Sequence, residues 1–161
     1  MKVEITIGKL LRAWGKTISS AESCTGGVVS DHITNVPGSS GYFEGSIVCY
    51  SNWAKVRHLQ IPLKILERFG PVSSEIAGRM AQGARKTFHT TFGLSTTGVA
   101  GPTGGTKKAP VGTVFIGFSK GKRTWVKKLD LKGSRREIKK EAAEKALSFL
   151  QEYLTRHVCH P

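Results

Sequence analysis

Acidic residues are scarce in this chain: eleven Asp and Glu stand against twenty-five Lys and Arg, a formal charge of +14. That imbalance excludes a surface that draws cationic partners from a distance and favours phosphates, nucleotides or nucleic acid. Cysteine is scarce as well. Cys24, Cys49 and Cys159 form no CxxC pair, so neither a disulfide framework nor a zinc knuckle is expected, and a reducing compartment fits. No window approaches the roughly eighteen apolar residues of a membrane span, and the amino end mixes charged and apolar residues from its start. No signal peptide is therefore expected, and the reading is of a soluble, cytoplasmic protein without a membrane partner. Internal repeats, low-complexity segments, a GxxxxGK[ST] loop and a complete GxGxxG fingerprint are all missing, which argues against ATP or dinucleotide binding by those standard loops.

What is present fits one compact domain with a real core: 161 residues, 39% of them hydrophobic. The core is expected over about 5–153, with 154–161 as a flexible tail whose two histidines and one cysteine are too few to fill a four-ligand metal site. Val3, Ile7, Leu10, Leu11 and Trp14 recur at helical spacing before Gly15, and a strand over 16–20 follows. A helix to about Asn35 and a strand over 45–50 come next, with Asn52 as the cap of a short turn carrying Lys55. Pro71 and Ser73 or Ser74 open a longer helix with Ile76, Met80, Ala84 and Phe88 as its apolar stripe. Strands over 94–97, 111–119 and 124–131 and a last helix over 135–153 complete the order. The pattern predicts an α/β fold, a three-layer α-β-α sandwich with a mixed sheet of about five strands.

Chemistry concentrates where strands run into glycine. In Ala21-Glu22-Ser23-Cys24-Thr25-Gly26-Gly27, small nucleophile-capable side chains sit between a strand and a helix, where unpaired N–H groups can face an anion or an oxyanion. From local sequence alone the leading reading of Ser23 is a helix cap, with Thr25 competing for that role. A nucleophilic serine needs a base, and no histidine is well placed. Lys55 is the better candidate, because a desolvated lysine can lose its proton and accept one from a hydroxyl. Glu22 is suited to orienting a lysine, binding a ribose hydroxyl or stabilising the helix start; Tyr50 is suited to donating a hydrogen bond near the lysine, or to packing. Cys24 ranks below Ser23, with no Cys-His arrangement visible. The second glycine loop, Gly98-Val99-Ala100-Gly101-Pro102-Thr103-Gly104-Gly105, can hold a phosphate with its N–H groups and the hydroxyls of Thr97, Thr103 and Thr106, or can be a turn needing unusual dihedrals. Residues 120–140 hold ten basic and two acidic side chains, with Trp125 the only interleaved aromatic, so a solvated basic face is favoured over nucleic-acid binding there.

The same residues carry a family pattern. The chain resembles the CinA carboxy-terminal domain family over about 5–153, through Ala21-Glu22-Ser23-Cys24-Thr25-Gly26-Gly27, Tyr50-Ser51-Asn52 with Lys55, Gly70-Pro71-Val72-Ser73, Met80-Ala81, Thr97-Gly98-Val99-Ala100-Gly101-Pro102 and Pro110-Val111-Gly112-Thr113-Val114. The resemblance implies a stand-alone amidohydrolase that converts nicotinamide mononucleotide and water to nicotinate mononucleotide and ammonia, without metal or cofactor. It implies Ser23 as nucleophile, Lys55 as base and Tyr50 as their support. Glu22, Cys24, Thr25, Gly26, Gly27, Thr97, Gly98, Gly101, Gly105 and Arg135 would serve the substrate. It also implies a homodimer. Two departures stand out: Gly133-Ser134-Arg135 replaces the family's Gly-Asp-Arg, and Ala109 occupies a position where members often carry lysine. The alternative is a nucleotide- or nucleic-acid-binding module of the same fold with weak or no amidase activity.

Overall fold

A computed structural model describes residues 2–156; the closing tail from 157 onward, which includes Cys159, lies outside the described residues. Five strands, β1 (Ile18–Glu22), β2 (Phe43–Val48), β3 (Phe92–Gly98), β4 (Thr113–Lys120) and β5 (Arg123–Asp130), form one sheet in the order β2-β1-β3-β4-β5. β1 pairs in parallel with both β2 and β3, while β3, β4 and β5 are antiparallel neighbours. Helices α1 (Val3–Ala13), α2 (Val28–Thr34) and α6 (Arg135–Arg156) cover one face; α3 (Asn52–Leu59), α4 (Leu63–Phe69) and α5 (Ser74–Thr87) cover the other. This is the three-layer mixed-sheet architecture that the alternation of elements predicts. Among the described residues no helix is long and apolar enough to cross a membrane.

Strand alternation sorts the side chains. On β3 and β4, Phe92, Leu94, Val114, Ile116 and Phe118 face α1 and α6 in the larger core. The opposite positions are small: Gly93, Ser95 and Gly117 let α5 lie directly on the strands, and the Ser95 hydroxyl donates to the Ala77 carbonyl at 2.6 Å. A Cβ at Gly93 would stand 2.0 Å from the Ala81 carbonyl oxygen, and one at Gly117 2.3 Å from that of Ala77. Gly93→Ala is therefore expected to lower unfolding stability by about 3 kcal/mol, since backbone faces backbone and no side chain can yield. Chemical denaturation measures it; an unchanged midpoint would mean the helix can lift without penalty.

Several boundaries differ from expectation. β1 begins two residues later and includes Ala21 and Glu22, and β3 starts at Phe92. Ser51, not Asn52, caps α3, its Oγ accepting from the Ala54 N–H at 3.1 Å. α4 had no counterpart in the sequence reading, and α6 runs on through Arg156 with Leu154 buried. The hairpin turn is the two residues between the paired Lys120 and Arg123.

Candidate active site

β1 delivers the first part of the site. Its alternation sends Ser19 and Ala21 towards α5 and Ile18 and Glu22 towards α2, so Ser23, immediately past the strand, emerges on the α3 and α5 side. The Ser23 N–H donates to the Thr96 carbonyl at 2.9 Å, which ties the turn to β3. Gly26 and Gly27 then take φ values of +59° and +102°, a left-handed path closed to most side chains.

Glu22 holds that turn in place. Its carboxylate accepts from Thr25 Oγ1 at 2.6 Å, Gly27 N at 2.9 Å, Val29 N at 3.1 Å, Ser30 N at 2.8 Å and the Ser30 hydroxyl. Because Thr25 Oγ1 gives its proton to Glu22, the Thr96 hydroxyl, 2.7 Å away, is the donor to Thr25. The carboxylate thus satisfies the open N-terminus of α2 and complements its dipole. Of the roles considered for Glu22, the structure places it at the helix start: it is fully buried, on the opposite side of β1 from Ser23, and does not reach Lys55.

Lys55 arrives from α3, where Lys55 and Leu59 form the inward i, i+4 pair. Only 2% of it is exposed, and Ser23 is 8% exposed. Lys55 Nζ lies 3.1 Å from Ser23 Oγ and 3.1 Å from the Cys49 carbonyl oxygen, and no ion pair engages it among the described residues. Burial pushes its pKa below the ordinary lysine value of 10.5. Burial acts oppositely on the nearby thiols: Cys24 is pushed up to about 12 and Cys49 to about 11, so both are protonated at neutral pH. Ser23 is accordingly the group in this turn with an activating partner, and Cys24 lacks thiolate character.

A cavity of about 260 Å³ opens above the pair, lined by Ser23, Cys24, Tyr50, Lys55, Thr97, Gly98, Gly101 and Arg135, with Val99, Ala100, Thr103 and Gly104 of the second glycine loop and Pro71-Val72 as walls. No Asp or Glu lines it. The segments that follow β1, β2 and β3 converge here, at the carboxyl ends of these parallel strands. Glu22, Thr25, Gly26, Gly27 and Gly105 lie outside this lining; Gly105 packs where a Cβ would stand 2.9 Å from the Val111 nitrogen. Tyr50 is 60% exposed and, instead of supporting Ser23 and Lys55, offers its hydroxyl oxygen to Arg135 Nη2. Arg135, the first residue of α6, also donates through Nη1 to the Gly101 carbonyl at 2.8 Å, and so clasps both sides of the mouth. Of the three threonines expected there, Thr97 and Thr103 line the cavity and Thr106 does not; Thr97 Oγ1 donates to the Pro71 carbonyl at 2.7 Å and Thr106 Oγ1 accepts from Ala109 N at 3.0 Å. The Cys49 carbonyl, which aims the lysine, and Asn52, a lining residue, were not singled out from sequence for these places. Among the described residues no three His, Cys, Asp or Glu side chains come together to hold a metal ion.

In the basic stretch, Trp125 is not free to stack on a base: its ring packs 5.5 Å from Phe118 and 5.1 Å from Tyr153.

The CinA C-terminal domain matches residues 1–154. A CinA-like protein of Kosmotoga olearia is 49% identical over 152 residues, covering 94% of this chain and 37% of that protein. One from Dictyoglomus thermophilum is 45% identical over 150 residues, covering 92% and 36%. The chain thus spans a little over a third of the length of these curated relatives. Among solved structures, the competence damage-inducible protein A of Klebsiella pneumoniae superposes with a TM-score of 0.92 at 26% identity, covering 95% of both chains. The competence/damage inducible protein CihA of Agrobacterium tumefaciens gives 0.88 at 31%, again covering 95% of each.

Proposed function

The chain belongs to the CinA C-terminal domain family, and on that premise we propose that it hydrolyses the carboxamide of nicotinamide mononucleotide, yielding nicotinate mononucleotide and ammonia. The observation that carries this reading is the 3.1 Å approach of a buried lysine with no ion pair to Ser23 Oγ at the floor of a cavity without acidic residues. An amine in that setting is driven towards its neutral form, in which it serves as a base. A lysine kept charged by a carboxylate could not.

In the structure Lys55 Nζ donates to Ser23 Oγ and to the Cys49 carbonyl; in the proposed cycle the neutral amine keeps the second bond and reverses the first, its lone pair accepting the Ser23 O–H. Ser23 Oγ attacks the carboxamide carbon as its proton passes to Lys55. The Gly27 N–H is committed to Glu22, and Cys24 is the residue after Ser23 in this turn that lines the cavity, so its N–H is assigned as the oxyanion donor. Collapse of the tetrahedral adduct breaks the C–N bond, and Lys55 returns the proton to the departing nitrogen as ammonia. Water then attacks the Ser23 ester with Lys55 again taking a proton, and the acid and free serine are restored.

Arg135 suits the substrate phosphate, because its two bonds, to the Gly101 carbonyl and the Tyr50 hydroxyl, leave further guanidinium N–H groups at the mouth. Arg135→Ala is expected to raise KM roughly tenfold or more with a smaller fall in kcat, as loss of a recognition contact does; a fall in kcat alone would remove Arg135 from phosphate binding. The reading as a whole is tested by ammonia release from nicotinamide mononucleotide by the pure protein, against nicotinamide, glutamine and nicotinamide adenine dinucleotide. Binding without ammonia from any of them would replace it with the non-hydrolytic alternative.

A further inference from the structure

A second and larger cavity, about 580 Å³, lies away from the amidase floor, between the C-terminal ends of α3 and α5. Arg57, His58, Arg79, Lys86 and His89 line it, and no Asp or Glu does. Arg79 is paired with Glu75 at 2.6 Å, whereas Arg57 and Lys86 have no ion pair among the described residues. Cations in the last turn of a helix complement its dipole, which accounts for Arg57 and His58 on α3 and Lys86 on α5 taken singly. It does not account for Arg79, in mid-helix, or His89, beyond the helix end, facing the same space.

The backbone points the same way. Gln60 and His89 take φ values of +55° and +54°, the two non-glycine residues with positive φ among those described, and both line this cleft. Both are left-handed helix ends, Gln60 the C-cap of α3 and His89 the residue after the C-cap of α5, so the two helices terminate on the same cleft. Next to the cleft, and sharing Arg57 and His58 with it, is a shallower depression that includes Trp53. Trp53 is 71% exposed, and with Arg57 one turn on it occupies the outer face of α3, opposite buried Lys55 and Leu59. An open indole beside a cluster of cations is the pairing that holds a base by stacking and its phosphates by charge.

We infer that the α3–α5 cleft with Trp53 is a second binding site, separate from the amidase cavity, for a nucleotide unit: phosphates among Arg57, Arg79 and Lys86 and a flat base on Trp53. The unit is either a free nucleotide or part of a single strand, and the probes separate the two. Titrations use inorganic pyrophosphate, ATP and a labelled oligothymidylate of about 12 nucleotides, within the site sizes of stacking surfaces. The parent binds ATP or the oligonucleotide, and Arg57→Glu with Lys86→Glu weakens that binding at least tenfold. Trp53→Ala weakens base-bearing probes but leaves pyrophosphate unchanged. Arg135→Ala, at the other cavity, leaves all of these affinities in place. ATP binding without the oligonucleotide assigns the free nucleotide; markedly tighter oligonucleotide binding assigns the strand. Lys9→Glu with Lys145→Glu is the charge-matched control, on exposed positions of α1 and α6 across the sheet from the cleft. Equal loss in that control, or no binding by the parent at millimolar probe, overturns the assignment. Near-parental ammonia release by the Arg57, Lys86 variant shows that Lys55 has not moved and that the loss is local.

Discussion

Ser23→Ala is expected to reduce ammonia release from nicotinamide mononucleotide by about 10³-fold or more, with the fold unchanged. The side chain of Ser23 makes one hydrogen bond, to Lys55, while its N–H bond to the Thr96 carbonyl belongs to the backbone and survives. Lys55 keeps the Cys49 carbonyl as partner. Stability should therefore change by no more than about 1 kcal/mol, and a melting curve beside the rate measurement separates lost chemistry from lost structure. The parent, quenched during turnover, should carry a nicotinoyl mononucleotide ester on the Ser23 peptide, and the variant none. A variant that still released ammonia at the parent rate would remove Ser23 from the reaction, whatever the geometry around it.

The architecture was legible because each layer leaves its own period in the chain. Ile76, Met80 and Ala84 of α5 and Ile138, Ala142, Ala146 and Leu150 of α6 repeat at helical spacing and are buried, whereas Phe88, read as the last member of the α5 stripe, is the half-buried C-cap beyond that helix. Misreadings occurred where a residue obeys a distant partner. Gly93 reads locally as punctuation, yet it lies inside β3 because the Ala81 carbonyl leaves no space for a Cβ. Glu22 reads as a turn residue, yet it is the last residue of β1, since its carboxylate is bound by five donors of the turn and helix that follow. α4 is only seven residues between Pro62 and Gly70, too short to leave a decisive period.

The candidate site was legible as a set of residues but not as a geometry. Glycine after a strand marked both loops, and a serine among small residues marked the turn. Thirty-two positions separate Ser23 from Lys55, and nothing local distinguishes this lysine from those in solvent. Its inward aim follows from sharing a helix face with Leu59, and that face is held against α5 at Gly83, where a Cβ would stand 2.7 Å from the Leu59 carbonyl oxygen. The Cys49 carbonyl has no side-chain signature at all. Tyr50 lines the cavity, but its hydroxyl meets Arg135, from a helix 85 positions away, a partner that no local pattern could supply.

Lys55→Met and Lys55→Arg should each lower the rate by about 10²- to 10⁴-fold, the range for a lost general base. Arginine is the sharper test: it keeps a positive charge near Ser23 but cannot surrender its proton, so activity in Lys55→Arg would mean that charge, not proton transfer, is what Lys55 supplies. The parent rate should rise with pH as Lys55 deprotonates, with a midpoint below the ordinary lysine value of 10.5 because burial lowers it. Stability carries the same signature. Below its depressed pKa the folded protein must bury a charged ammonium, which costs free energy. Between that pKa and the ordinary value the unfolded chain binds more protons at this position than the folded one, so the contribution of Lys55 to stability improves as pH rises. Above the ordinary value both states are neutral and the cost is gone. The difference in unfolding free energy between parent and Lys55→Met should therefore shift in favour of the parent across that window. Loss of the hydrogen bonds to Ser23 and the Cys49 carbonyl adds an offset that does not change this trend. Denaturation midpoints that moved in parallel at every pH would show that the amine titrates in the folded protein as it does in water, and the base assigned to Ser23 would have to be sought elsewhere.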